Sequence, residues 1–354
     1  MATRRGFIAG LLAAGGVPAL SWADAGTPAF LAAAMEANGA YALFGLKEDG
    51  TLAFRLPLPD RGHAAAAHPT RPEVAFFARR PGQYALVLDC VTGAVLRELE
   101  APTGQHFYGH GAFFQDGELL ATTENIVETG QGVVGLWSRS EGYRRIGSFS
   151  SGGVGPHELI RLSEDRLAIA NGGIRTHPGS GRAKLNLETM RPNLTLMNAS
   201  GHILGQVEPD RALHRNSLRH IAALPDGAVA CAFQWQGDVY ETPALLAIVR
   251  DGVLQFADHD ALLWTEMQGY AGSIAIGRSG PILTGPRGGV LARFDQAQRP
   301  IATERRPDVC GIAARAGQVL VTDGLGHVFR AGHGELEHLE AHPVAWDNHV
   351  VALT

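Results

Sequence analysis

The sequence predicts an all-β fold: a seven-bladed β-propeller closed by a C-terminal strand that completes the N-terminal blade. Three observations predict it. Seven short segments, each leading into an apolar run, occupy an equivalent slot at positions 63, 110, 157, 220, 273, 311 and 349. A gap-free internal repeat sets 74–86 against 31–43, matching Tyr84 with Tyr41 and Leu86 with Leu43, and runs on to Pro102 against Pro59. The chain ends in Asn348-His349-Val350-Val351-Ala352-Leu353, a strand with the slot signature that the first copy lacks. A unit short of one strand and a strand without a unit complete each other, and closure hides the sheet edges of the ring.

Taken in order, residues 1–25 read as an export signal. Thr3-Arg4-Arg5-Gly6-Phe7-Ile8 carries a twin arginine, an apolar stretch follows to Leu20, and Ala23-Asp24-Ala25 forms a small-residue cleavage pattern. A plain secretory signal is the alternative. The apolar stretch is too short and too glycine-rich for a membrane span. A twin-arginine signal implies delivery to the bacterial periplasm.

Residues 26–354 are then expected to form one propeller domain. The slots are separated by 47, 47, 63, 53, 38 and 38 residues, and a four-stranded blade needs roughly 40–50. The long interval holds an insertion, about Arg175 to Pro192, and the two short ones hold trimmed blades. Turn signals fall between the strand-like runs at Asp49-Gly50, Thr92-Gly93, Asp116-Gly117, Asp226-Gly227 and Asp251-Gly252. An eight-bladed ring or an open sandwich also accommodates this pattern.

Composition removes several function classes. A net charge of -5 with no long basic run gives no footprint for nucleic acid. The three cysteines, Cys90, Cys231 and Cys310, form neither a disulfide framework nor a zinc knuckle. Nucleophile-elbow, P-loop, H-E-x-x-H and haem-attachment motifs are missing from the sequence.

Five of the seven slots hold histidine: His63, His110, His157, His220 and His349. The first strand of a blade is innermost, so the slots converge at one mouth of the central channel. Crowded imidazoles depress one another's pKa, and the neutral ring is a ligand for Fe, Cu, Zn or Ni. A structural polar hub and a pocket for an organic ligand are the competing readings. His106, four residues before His110, is a candidate further ligand or a surface loop residue. Glu124 ends the second strand of its blade and is expected to aim a carboxylate at the mouth, a hard oxygen suited to iron. Strict alternation turns Glu158 away. Lys184 lies in the insertion with His177, Arg182, Asn186 and Met190, a segment expected to fold over the mouth. Arg287 ends another second strand on that face, placed to bind an anion or pair with Glu124. Cys310 adjoins a slot without histidine. His68, His202, His214, His259, His327, His333, His338 and His342 read as surface residues.

At these residues the chain resembles a known group. The twin-arginine start, H-F-Y-G-H-G (106–111), G-P-H-E-L (155–159), A-N-G-G-I-R-T-H-P (170–178), K-L-N-L-E-T-M (184–190), L-R-H (218–220) and P-R-G-G (286–289) resemble the exported propeller family called domain of unknown function 1513. Its fold resembles the β-chain propeller of quinoprotein amine dehydrogenases. Its genes often lie beside imelysin-like iron-uptake proteins and a di-haem oxidoreductase-like protein, so the resemblance implies partners and a role in periplasmic iron handling. It supplies no catalytic residues. A looser similarity is to nitrous-oxide reductase, whose propeller holds a copper cluster with a histidine ring; two slots without histidine count against that activity. Iron is the expected metal and copper the second. A metal-dependent hydrolase, lactonase or metal oxidase, or a protein-docking scaffold, remain alternative functions of the same mouth.

Overall fold

The middle strands of the sheets are buried on both faces, and their sequences show why. Glu73–Ala78, Leu167–Asn171 and Val290–Phe294 are near-continuous apolar runs with every residue buried. Outer strands such as Val95–Leu99 and Ile203–Val207 are largely exposed. This burial gradient belongs to sheets packed face to face and wetted only at the rim. The computed structural model describes residues 19–79, 84–181, 183–332 and 334–353. They form seven four-stranded antiparallel sheets. In chain order, blade 1 spans 62–99, blade 2 105–154, blade 3 156–207, blade 4 216–256, blade 5 273–305 and blade 6 309–341. Blade 7 joins 30–58 to the C-terminal strand Val344–Ala352.

Ring closure is as the sequence predicts. Val344–Ala352 pairs antiparallel with Phe30–Glu36, setting Phe30 against Ala352. First strands touch first strands all the way round, and the C-terminal strand closes onto blade 1. A polar clamp reinforces the seam: Asp347 accepts from Arg61 Nε at 2.9 Å and from Arg79 Nη1 at 3.2 Å. Trp346 packs edge-on against Phe44, ring centroids 5.4 Å apart. Between blades 4 and 5 a short helix, α1 (Ala261–Glu266), starts where Asp260 Oδ1 accepts from Leu263 N–H at 3.0 Å. It stacks Trp264 on Phe294. No helix among the described residues is long and apolar enough to cross a membrane.

Of the expected signal segment, residues 1–18 lie outside the described residues. The indole of Trp22, within the expected signal tail, donates to the His68 carbonyl at 2.9 Å, and Ala25 is buried against blades 1 and 7.

Candidate metal centre

Six of the seven innermost strands lose regular register at the slot. Pairing breaks between Gly62 and Ala65, Phe107 and Gly111, Pro156 and Glu158, Leu218 and His220, and Val309 and Ile312. Opposite Ala32 and Ala34 it breaks between Val350 and Trp346. An extra residue in one strand of a ladder bends it and re-aims side chains. Here the irregularities fall at or beside His63, His110, His157, His220 and His349. Only blade 5, with Ser273 in the slot, pairs without interruption. At Gly311 a Cβ would lie 2.7 Å from Val350 Cγ2 and 2.5 Å from Thr322 Oγ1, so that slot has no room for a side chain.

The five imidazoles meet. Ring centroids of His63, His110 and His349 form a nearly equilateral triangle of 4.8, 4.8 and 4.6 Å. His157 lies 5.0 Å from His110 and 4.8 Å from His220, and His220 lies 4.9 Å from His349. Two groups, His63–His110–His349 and His110–His157–His220, each bring one ligand atom per residue within 4.8 Å of the others. His110, His220 and His349 are buried; His63 and His157 are partly so. Burial is the first cause that pushes all five pKa values down, His220 to about 3. The other rings lower His63 and His157 further, and Arg219 lowers His157 and His220. The cluster is therefore neutral imidazole, the form that binds metal.

The buried ring nitrogens His63 Nδ1, His110 Nε2, His157 Nδ1 and His220 Nδ1 have no hydrogen-bond partner. An unanswered buried polar atom costs roughly 1–3 kcal/mol. A structural hub would supply partners; four of these five rings instead leave a buried nitrogen without one. The donor set, imidazole nitrogen in two groups of three that share His110, suits a transition-metal ion.

Glu158 also belongs to the site, contrary to the alternation argument. Its Oε2 lies 3.3 Å from His220 Nδ1, outside hydrogen-bond alignment, and its Oε1 lies 3.6 Å from His110 Nδ1. It accepts from Ile221 N–H at 2.8 Å, and burial raises its pKa. The broken register between Pro156 and Glu158 upsets the alternation that would have turned it away.

Other expected members go elsewhere. Glu124 is a correction: fully buried, it accepts from Arg145 Nη1 at 2.6 Å and Thr122 Oγ1 at 2.7 Å, and it joins neither histidine group. It sits on the blade face where Gly135 leaves room, a Cβ there falling 1.9 Å from Glu124 Oε1. His106 is buried, stacks on Tyr108 and likewise joins neither group. Cys310 is buried among carbonyls and pushed up to about 12 by burial, so it is a thiol and joins no group. His68 is not a surface residue: it is buried, and its Nδ1 accepts from Thr70 and Arg71 N–H. His333 and Arg182 lie outside the described residues.

The insertion spans loops at the histidine end. Arg175 bonds the Glu128 carbonyl, Tyr108 and Thr176 share a hydroxyl contact of 3.1 Å, and Lys184 Nζ donates to Gln236 Oε1 at 2.5 Å. The segment thus ties blade 2 to blade 4. Burial lowers the pKa of Lys184 first, and Arg219 and Arg287 lower it further. Arg287 lies 4.3 Å over the Tyr270 ring and, like Lys184, forms no ion pair among the described residues. Its expected pairing with Glu124 does not form, because Arg145 holds that carboxylate.

Fold and site together define a closed seven-bladed propeller with an imidazole-lined mouth. Similar architecture occurs in Kuenenia stuttgartiensis hydrazine synthase (TM-score 0.62, 11% identity, 82% of this chain against 89% of that one). It also occurs in Saccharomyces cerevisiae Sqt1 (TM-score 0.53, 13% identity, 81% against 87%). At such identities the likeness is one of fold. The chain belongs to the family described as protein of unknown function DUF1513, whose sequence pattern matches residues 56–353. No curated protein matches it.

Proposed function

We propose that this protein is a periplasmic metal-binding propeller that acquires or hands over iron, with copper as the second metal. One observation carries the reading: five in-register histidines converge into two overlapping groups of close ligand atoms, and four of the rings keep a buried nitrogen without a hydrogen-bond partner. His63, His110, His157, His220 and His349 would hold the ion. Glu158, rather than Glu124, offers the nearby hard oxygen that favours iron in an imidazole-rich site. Lys184 and Arg287 would hold an anion or an acidic partner at the mouth, since neither cation is spent on a carboxylate among the described residues. Imelysin-like and di-haem oxidoreductase-like proteins are the proposed partners, on the family resemblance. The twin arginine and its apolar stretch support export.

Elemental analysis of untagged protein, isolated and after loading with Fe or Cu, tests this. Retained metal in the wild type, lost in His110→Ala, is the expected result. A wild type that neither carries nor takes up Fe or Cu removes the proposal.

A further inference from the structure

Away from the histidines, a cleft opens between blades 5 and 6. First strands run from the histidine mouth to the opposite side, so the turns ending there, at 277–280 and 316–317, lie on the far face. The cleft encloses about 410 Å³, within the roughly 300–1,000 Å³ of small-molecule sites. The next cleft round the ring, lined by Glu48, Leu339 and also Arg330, has no room even for water.

Three arginines from three segments line the open cleft: Arg278, Arg293 and Arg330. Arg293 is 5% exposed and its Nη1 pairs with Glu304, yet its Nε and Nη2 have no partner. Arg330 Nη1 meets Glu337 at 2.9 Å, and its Nε has none. Arg278 sits on an exposed turn and forms no ion pair among the described residues. Three guanidinium groups thus share two carboxylates, and no acidic residue among those described lines the cleft, which leaves it positively charged. The guanidinium fork matches a carboxylate, and Arg278, exposed and without an ion pair among the described residues, offers one to the cleft. Apolar surface lies beside them, from Ile282, Phe294 and Val319.

We propose that this cleft is a second ligand site, for a small organic acid whose carboxylate is held by Arg278 in the positive field of Arg293 and Arg330 and whose apolar body lies along Ile282, Phe294 and Val319. It is independent of the metal centre. Calorimetric titration with phenylacetate, phenylacetamide and acetate tests it on the full chain. Saturable one-to-one binding of phenylacetate is expected, with the neutral amide, acetate and the Arg278→Gln variant each weaker by about tenfold or more. Arg278 lies on an exposed turn, so its variant keeps the fold. His110→Ala, on the other face, leaves phenylacetate binding unchanged. No saturable binding of phenylacetate at millimolar concentration overturns the proposal. So does an amide or acetate that binds as tightly, an Arg278→Gln variant that binds as wild type, or loss of binding in His110→Ala.

Discussion

Acid should destabilise the metal-free protein through its histidine cluster, and His220 allows the effect to be sized. In the unfolded chain an imidazole titrates near 6.5, whereas burial holds His220 down to about 3 in the fold. Between those values the unfolded chain binds a proton that the folded protein does not. Stability therefore falls as pH drops below 6.5, and it is retained above it. From pH 7.5 to 5.5, His220 alone accounts for a loss of about 1.4 kcal/mol. His63, His110, His157 and His349 are shifted in the same direction and steepen the total. Urea unfolding of metal-free wild type and His220→Gln at the two pH values gives the comparison. The variant should lose about 1.4 kcal/mol less than the wild type over that interval, whatever its stability at pH 7.5. Equal losses in the two proteins would mean that His220 titrates normally in the fold, and the account of a dry, neutral cluster would fail.

Three other perturbations separate the centre from its scaffold. Gly109→Ala places a Cβ 2.3 Å from His63 Cδ2 at a φ of +106°; metal affinity should fall by about tenfold or more as His63 is displaced, measured by competition with a chelator. Glu124→Ala leaves Arg145 without its buried partner and should cost about 3 kcal/mol in urea unfolding, with metal content unchanged; Glu158→Gln should do the reverse, weakening iron by about tenfold and copper less. Deleting 344–354 strips blade 7 of its inner strand and of the Asp347 clamp; loss of the cooperative thermal transition is expected, and an unaltered transition would show that closure does not stabilise the ring.

Much of this architecture was legible because it is periodic. The 47-residue steps from His63 to His110 to His157 and the unpaired C-terminal strand located the innermost strands and the closure. What the sequence hid was local register. Alternation assumes an uninterrupted ladder, and the ladder breaks at the very positions that matter, so Glu158 was read as facing away and lies beside His110 and His220. Glu124 failed for a different reason. Its partner Arg145 lies two strands further out, and Gly135 opens the space on the blade face; neither is a spacing that a single strand displays. His68 is similar, buried by loop packing rather than by any repeat. Asp347 was in view within the final slot segment, but its pairing with Arg61 joins residues at opposite ends of the chain.

An anomalous-difference map from crystals loaded with iron, recorded on both sides of the iron edge, tests the proposed metal centre directly. The account predicts a peak at bonding distance, about 2.1 Å, from imidazole nitrogens of the set His63, His110, His157, His220 and His349. Iron found only elsewhere, with those rings bare, would contradict it.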